Sequence, residues 1–533
     1  MRAIVKLNFI SKIEAIPRPA NRNRALMELD SLVSRALKSD NESIRFMAKM
    51  AEYPSGKALL LGIFGNSQFL SQLIRQEPEI FYSIDQNGFK KSASHILNSI
   101  NGQKIWGLNT KQVAEKLRIA KRRFALLVAL ADITNTWDLE KITLALSDFA
   151  DLAVECSLAH LLNQAYEEGK LTQLNHDNPT KNCGITILGM GKLGAQELNY
   201  SSDIDLIVLF EKEKVNWVSS DTIQQGLHRL TRDLVNLLSN RTKDGYVFRT
   251  DLRLRPDAGA TPLAISTSAA ERYYESLGQN WERAALIKAR PIAGDKNVGF
   301  TILKSLEPFI WRKNLDFSAI EDIHSIKRQI YTHRGHRKIA VFGHNIKLGR
   351  GGIREIELYA QTQQLIWGGR DSTLRSQSTC SSLDNLASSG KTKNESAKEL
   401  IAAYSFLRHV EHRLQMVADE QTHTIPSSNE GLRHIATFCG FKTSKDFVKI
   451  LTNHLVIVER NYAELFEDAP DLGEVSGNLV FTGTEDDPNT IDTLERMGFT
   501  DGSAVASTIR GWHHGRVRAT RSNRARELLT ELM

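Results

Sequence analysis

Apolar residues recur every three to four positions over long stretches of the first 170 residues, and that period predicts helices. Asn21 to Leu37 is one such stretch. Asn66-Ser67 ahead of Phe69-Leu70 reads as a helix N-cap, and Glu77-Pro78 as that helix's stop. Lys111 to Asp132 and Asp138 to Glu168 are two longer amphipathic segments. Arg118, Lys121, Arg122 and Arg123 on the first of them read as a solvated face.

The period then changes. Ile185 to Leu188 is a short β-branched run ended by Gly189, the signature of a buried strand. Leu206 to Phe210 is a second such run, headed by Asp203-Ile204-Asp205. Tyr246 to Pro256 alternates, with Leu252 and Leu254 on one face and Asp251, Arg253 and Arg255 on the other. Helices are expected between and after these strands, over Asp221 to Ser239 and Ser266 to Gly278. The helical period returns over Ile353 to Leu365, Ala397 to Glu420 and Phe447 to Phe466, with a serine-rich loop and short helix from Arg370 to Ser396. The charges Arg408, His409, Glu411, His412 and Arg413 recur at i,i+4 spacing and read as a solvated or helix-packing face. His409 and His412 are three apart, but no third ligand stands near them, so no zinc site is expected. Glu467 to Asn489 is polar and acidic, a linker in character. The fold class expected is α+β and predominantly helical, with a mixed sheet at its centre.

Composition changes this picture little. With 533 residues, 25% charged and 41% hydrophobic, the chain is an ordinary globular protein of two to four domains. Four scattered cysteines without a CxxC pair fit a reduced, cytoplasmic setting. No apolar run is long enough to span a membrane, and the first ten residues lack a signal-peptide core. The net charge of +7 is local: six arginines lie between Arg510 and Arg526, and without them it is +1. A nucleic-acid groove along the body of the chain is therefore not expected.

The chemistry is concentrated at the strands. Gly189, Gly191 and Gly194 surround Lys192 directly after the first strand. Glycines let a backbone approach a phosphate, and the lysine adds a point charge. A Walker loop is excluded because no Ser or Thr follows Lys192 in frame. Asp203 and Asp205, two apart on a strand, face the same side. Like charges that close need a cation between them, and hard oxygen ligands suit Mg²⁺, with Mn²⁺ as a substitute. Asp251 supplies a third acid, and Arg253 and Arg255 can hold phosphate oxygens in bidentate fashion. Ser201 and Ser202 stand ready to hydrogen-bond phosphate. Three carboxylates on adjacent strands are what a two-metal nucleotidyl-transfer site requires. Gly349 to Gly352, at the start of the Ile353 helix, adds an anion-binding N-terminus, with Lys347, Arg354, Glu355 and Glu357 around it.

These segments together resemble the polymerase-β-like nucleotidyltransferases. More closely, the chain resembles the bacterial glutamine synthetase adenylyltransferase/adenylyl-removing enzyme family over about residues 45 to 470. The resemblance rests on LLLGIFGNSQFLSQLIRQEPEIF, GMGKLGAQELNYSSDIDLIVLF, FRTDLRLRPDAGATPL, YYESLGQNWERAALIKARPIAGD, IKLGRGGIREIELYAQTQQL and LRHVEHRLQMVADEQTHTIP, in that order. It implies a polymerase-β-like core flanked by helical bundles: residues 1–175 helical, 176–315 the core, 316–470 a second bundle, and 471–533 a linker and the start of a further region. That family carries two such cores. One removes AMP from a tyrosine of glutamine synthetase by phosphorolysis, and the other attaches it from ATP. A single set of the motifs is present here, in a chain of about half the family's length. The resemblance therefore implies the N-terminal, adenylyl-removing half, an adenylyl-tyrosine phosphorylase. Asp203, Asp205 and Asp251 are then catalytic and metal-binding. Gly191, Lys192, Ser201, Ser202, Arg253, Arg255, Arg283, Lys288 and Arg290 are nucleotide- or phosphate-binding, the last three by resemblance alone. Glutamine synthetase, a PII-type signalling protein, and phosphate, ADP and ATP are the implied partners, with no nucleic acid and no membrane. A nucleic-acid nucleotidyltransferase and a non-catalytic regulatory half are the competing readings.

Overall fold

A computed structural model describes residues 15–218, 222–312, 339–467 and 488–513, and isolated positions at 9, 13, 517 and 519. Most of the predicted linker from Glu467 to Asn489 (all but 467, 488 and 489) and most of the arginine-rich tail lie outside the described residues.

The first third is helical, as its period predicts. Asn21 caps Arg22–Leu37 by accepting from the Arg24 amide. Ser67 caps Gln68–Gln76, which ends at Glu77. Asn109 and Gln112 form a capping box ahead of Thr110–Ile133, and Asp138 caps Leu139–Glu167. Every residue from Phe124 to Ile133 is buried, so the C-terminal half of the Thr110–Ile133 helix runs through the middle of this bundle, while its first two turns keep an exposed face. Its basic residues correct the expectation of a solvated face. Arg118 is 1% exposed and donates to the carbonyls of Ala114, Leu237, Asn240 and Gly245. Arg122 and Arg123 close on the buried Glu77 carboxylate at 2.8 and 2.7 Å. Lys121 lies 4.3 Å over the Phe248 ring. Arg118 is buried, and Lys121, Arg122 and Arg123 partly so, because each finds a partner in the fold, which the sequence period does not report.

Five strands form a mixed sheet: β1 (Ile185–Gly189), β2 (Asp203–Phe210), β3 (Arg249–Asp251), β4 (Ala264–Ser266) and β5 (Arg290–Gly294). β1 lies antiparallel between β2 and β5. The outer edge of β2 is shared in parallel by β3, along Asp203–Asp205, and by β4, along Val208–Phe210. Alternation along β2 decides what each face meets. Ile204, Leu206, Val208 and Phe210 pack into the N-terminal helical core. Ile207 and Leu209 pack on the other side with Tyr274, Leu286 and Phe309. Asp203 and Asp205 share the parity of Ile207 and Leu209, as the sequence predicts. β3 is shorter than its alternation suggests. The Asp251 carboxylate accepts the Arg253 amide at 2.7 Å, an Asx turn that ends the strand ahead of Pro256.

Among the described residues the second bundle has the helices Ile353–Trp367, Thr379–Ser388, Asn394–Met416, Asn429–Phe438 and Ser444–Glu467. The charged run on Asn394–Met416 is a packing face, not a solvated one. Arg408, Glu411, His412 and Arg413 are each at most 1% exposed. His412 and Arg413 meet Asp132 of the first bundle at 2.8 and 2.7 Å, and His409 lies 3.7 Å from the same carboxylate. No helix among the described residues is long and apolar enough to cross a membrane.

Candidate active site

The loop after β1 is shaped by what it must clear. The Met190 amide donates to the Asp205 carbonyl at 2.9 Å, which brings the loop across the head of β2. Gly191 has φ +51°, and a Cβ there would sit 2.8 Å from Asp205 Oδ2. A Cβ on Gly194 would sit 1.9 Å from the Lys288 carbonyl oxygen. Both glycines are therefore required by close approach.

Register then assembles the acids. Asp205 of β2 lies opposite Asp251 of β3, and Asp203 opposite Arg249. One carboxylate oxygen from each of Asp203, Asp205 and Asp251 lies within 4.8 Å of the other two. Burial, and the neighbouring Asp203 and Asp251 charges, push the Asp205 carboxyl up to about 7, with Lys347 and Arg253 opposing. No hydrogen-bond donor reaches the Asp205 carboxylate among the described residues. Burial also works against the Asp251 charge, but its bonds to Arg253 prevail and hold it below the usual range. Three hard oxygen donors at this spacing, one of them starved of donors, fit a divalent cation. A cleft of about 480 Å³ opens beside them, lined by Asp203, Arg232, Arg249, Asp251 and Arg253 among others.

The predicted cationic residues divide into two groups. Arg253 stays at the acids, paired to Asp251. Arg249, which the sequence reading did not single out, donates to Ser201 Oγ at 3.0 Å and to the Tyr246 hydroxyl. That hydroxyl in turn donates to Asp419 at 2.9 Å. Ser202 Oγ, beside the acids, is buried with no partner among the described residues.

The others are committed elsewhere. Arg255 turns back on its own loop and donates to the carbonyls of Leu252, Ala258, Thr261 and Pro262. It holds the turn and does not share a strand face with Asp251, since the strand has ended. Arg290 grips Asp151 and the carbonyls of Leu193 and Gly194, bracing the glycine loop from below. Arg283 is 1% exposed and bonds Asn280 and the Ile310 carbonyl. Lys192 points to Glu357 at 2.8 Å. Lys288 bonds Glu197, Glu357 and Thr379 at 3.1, 3.4 and 3.2 Å.

Lys192, Lys288, Glu197 and Glu357 thus form a buried ring that joins the glycine loop to the second bundle. Burial raises a carboxyl, but Lys192 and Lys288 outweigh it and hold Glu357 well below its ordinary range. Burial and nearby Arg408 drag Lys192 down to about 8 against the pull of Glu357. The positive charge of Lys347 acts on Asp205, and Glu355 accepts the Gly351 amide at 2.8 Å. Gln421 was missed altogether, and its amide donates to Asp203 Oδ1 at 2.7 Å. An isolated glutamine in a loop carries no local signal that would have found it.

Residues 58–305 match the family described as glutamate-ammonia ligase adenylyltransferase. Residues 324–466 match the one described as GlnD PII-uridylyltransferase. A bifunctional glutamine synthetase adenylyltransferase/adenylyl-removing enzyme of Rhizobium meliloti (strain 1021) is 48% identical over 98% of this chain and 53% of its own. The protein of the same name from Mesorhizobium japonicum is 46% identical over 96% of this chain and 52% of its own. That from Agrobacterium fabrum is 52% identical over 79% of this chain and 43% of its own. The chain spans about half the length of the curated relatives it matches.

Proposed function

From a chain that belongs to the glutamate-ammonia ligase adenylyltransferase family, we propose an enzyme that removes AMP from adenylylated glutamine synthetase by phosphorolysis. The observation that carries this reading is the convergence of Asp203, Asp205 and Asp251 within 4.8 Å on β2 and β3.

In this reading Asp203, Asp205 and Asp251 would hold Mg²⁺ or Mn²⁺, and the chemistry such a cation would supply is polarisation of phosphoryl oxygens and neutralisation of charge. An oxygen of inorganic phosphate bonds to the α-phosphorus of the adenylyl group, and the bond from phosphorus to the tyrosine oxygen breaks. ADP leaves, and the tyrosine oxygen takes a proton. Phosphate is already anionic, so no strong general base is called for. Arg253 and Arg249 line the cleft with positive charge where an anionic nucleophile would enter. Gly191 keeps the space over Asp205 clear for the α-phosphate. Lys192, Lys288 and Arg290 support the loop and its underside in this reading, Arg283 ties Asn280 to the Ile310 carbonyl, and none of the four clamps phosphate itself.

A cytoplasmic setting, glutamine synthetase as the protein substrate and a PII-type protein as regulator belong to the same proposal. The match of residues 324–466 to a PII-uridylyltransferase family supports the last of these. Domain limits near 175, 315 and 470 are its working organisation. Mixing the chain with adenylylated glutamine synthetase, Mg²⁺ and phosphate tests it. ADP released only when phosphate is present is the expected result. AMP released without phosphate, or primer extension by labelled nucleotide, would move the assignment to a hydrolase or a nucleic-acid polymerase.

A further inference from the structure

Asp203 lies in the segment that matches the adenylyltransferase family, whereas the group that holds its carboxylate comes from the segment that matches the uridylyltransferase family. Gln421 Nε2 donates to Asp203 Oδ1 at 2.7 Å across 218 positions of chain. A carboxylate only accepts, so the amide must present its NH₂ and not its oxygen. The contact is not forced by burial, since Gln421 is exposed. It is set by the loop that carries it. Asp419, two residues before, accepts the Tyr246 hydroxyl at 2.9 Å, which ties the loop to the approach of β3. Two residues after, the His423 carbonyl accepts the Ile346 amide at 2.9 Å, and its ring meets the buried Glu411 at 2.8 Å. Asn345 pairs with Thr424 as an isolated antiparallel bridge, and the charge of Lys347, next to Ile346, acts on Asp205. Residues 345–347 and 419–424 thus form one edge of the second bundle that leans on the acids from outside the sheet.

We infer that Gln421 is a positioning residue for the metal site, fixing one oxygen of Asp203 so that the other is presented to the cation. This rests on the metal reading above. Outer-shell donors of this kind set ligand orientation, and their removal typically weakens metal binding about 10- to 100-fold. The consequence is that the second bundle completes the catalytic centre instead of only flanking it.

The test is Mn²⁺ titration of the full chain, followed by the paramagnetic signal of the free ion and without any turnover. Three proteins are compared: the parent, Gln421→Met, which keeps the length but not the donor, and Asp205→Asn. The inference expects about tenfold weaker Mn²⁺ binding by Gln421→Met, at an unchanged melting temperature in EDTA, and loss of the site in Asp205→Asn. In turnover, the Mg²⁺ concentration for half-maximal rate should rise in Gln421→Met while the rate at saturating Mg²⁺ is largely restored. Mn²⁺ bound within twofold of the parent by Gln421→Met, with Asp205→Asn still defective, overturns the role of Gln421 and leaves the metal site standing. Equal binding by all three overturns the metal site, and this inference with it.

Discussion

The ammonium of Lys192 lies 2.8 Å from the carboxylate of Glu357, although 165 positions of chain separate them. Both side chains are mostly buried, and Glu357 also serves Lys288 at 3.4 Å. Removing Glu357 leaves Lys288 with Glu197 and takes from Lys192 its paired carboxylate, leaving only the charge of Glu411 to oppose its burial. Breaking a buried pair from one side typically costs about 3–5 kcal/mol, because the partner charge is left uncompensated. Glu357→Ala is expected to lower stability by about that amount, and Glu357→Gln by less, since the amide oxygen still accepts. Urea midpoints at pH 7 measure both. A loss below about 1 kcal/mol in Glu357→Ala would mean that water already screens the ring.

Asp205 and Asp251 face each other in register with Asp203 beside them, so the metal-free protein holds three acids in mutual repulsion. Asp205→Asn relieves part of it. In EDTA this variant is expected to melt at or above the parent. Mn²⁺ should raise the melting temperature of the parent by mass action and leave that of the variant unmoved. Phosphate-dependent ADP release should fall at least about a thousandfold. A variant that keeps full activity would remove Asp205 from the ligand set.

Gly191 is held at φ +51°, where an L side chain costs about 1–2 kcal/mol, and its missing Cβ leaves room for Asp205 Oδ2. Gly191→Ala is expected to lose that much stability and, separately, to slow turnover by displacing the carboxylate. The two effects part in the assay: at saturating phosphate the rate stays low while the fraction folded, read by circular dichroism, is near complete.

The acid centre was legible because its signal is local. Asp203 and Asp205 sit two apart on an apolar strand, and period-2 geometry alone puts them on one face. Asp251 belongs with them by alternation, even though the strand stops there. What stayed hidden depends on partners far along the chain. The run from Arg408 to Arg413 has the spacing of a solvated helix face, and nothing nearby in sequence announces that Asp132 and Glu197 wait for it. Arg255 reads as a phosphate clamp until the Asx turn at Asp251 swings it onto four carbonyls. β4 and β5 are short strands of three and five residues, and their sequences carry too few positions for a period to emerge.

Asp132 holds the two bundles together through His412 and Arg413, and its acidity makes that junction sensitive to pH. Burial alone would raise its pKa, but Arg413 and His412 prevail and hold it far below the ordinary 3.8. A carboxylate with a depressed folded pKa contributes stability above its unfolded pKa, and that contribution is lost as pH falls toward the folded value. His409 adds to the same limb. Burial and Arg413 lower it to about 3, so protonating it between about pH 6.5 and 3 favours unfolding. Stability should therefore decline below about pH 6.5 and more steeply below 4. Asp132→Asn should be less stable at pH 7 and show a shallower decline below pH 4. Urea midpoints between pH 7 and 3 give both slopes, and parallel curves for the two proteins would place the acid sensitivity elsewhere.

Arg253 and Arg255 look equivalent in the sequence, two apart after Asp251, and the structure gives them opposite work. Arg255 satisfies four loop carbonyls. Without its guanidinium those acceptors lose their donors, and Arg255→Ala is expected to destabilise the chain by about 1–3 kcal/mol. The KM for phosphate of the folded fraction should then be close to that of the parent. Arg253 has a half-exposed side chain at the mouth of the cleft, bonded to Asp251 and beside the acids. Arg253→Ala should leave the melting temperature nearly unchanged, since exposed ion pairs contribute little. It should raise the KM for phosphate about tenfold, because a charge-assisted contact to an anion is worth about 1.5–3 kcal/mol where water is partly excluded. Steady-state kinetics over a phosphate series, with melting curves on the same preparations, separate the two. A large KM effect in Arg255→Ala without loss of stability would reverse the assignment and restore both arginines to the phosphate.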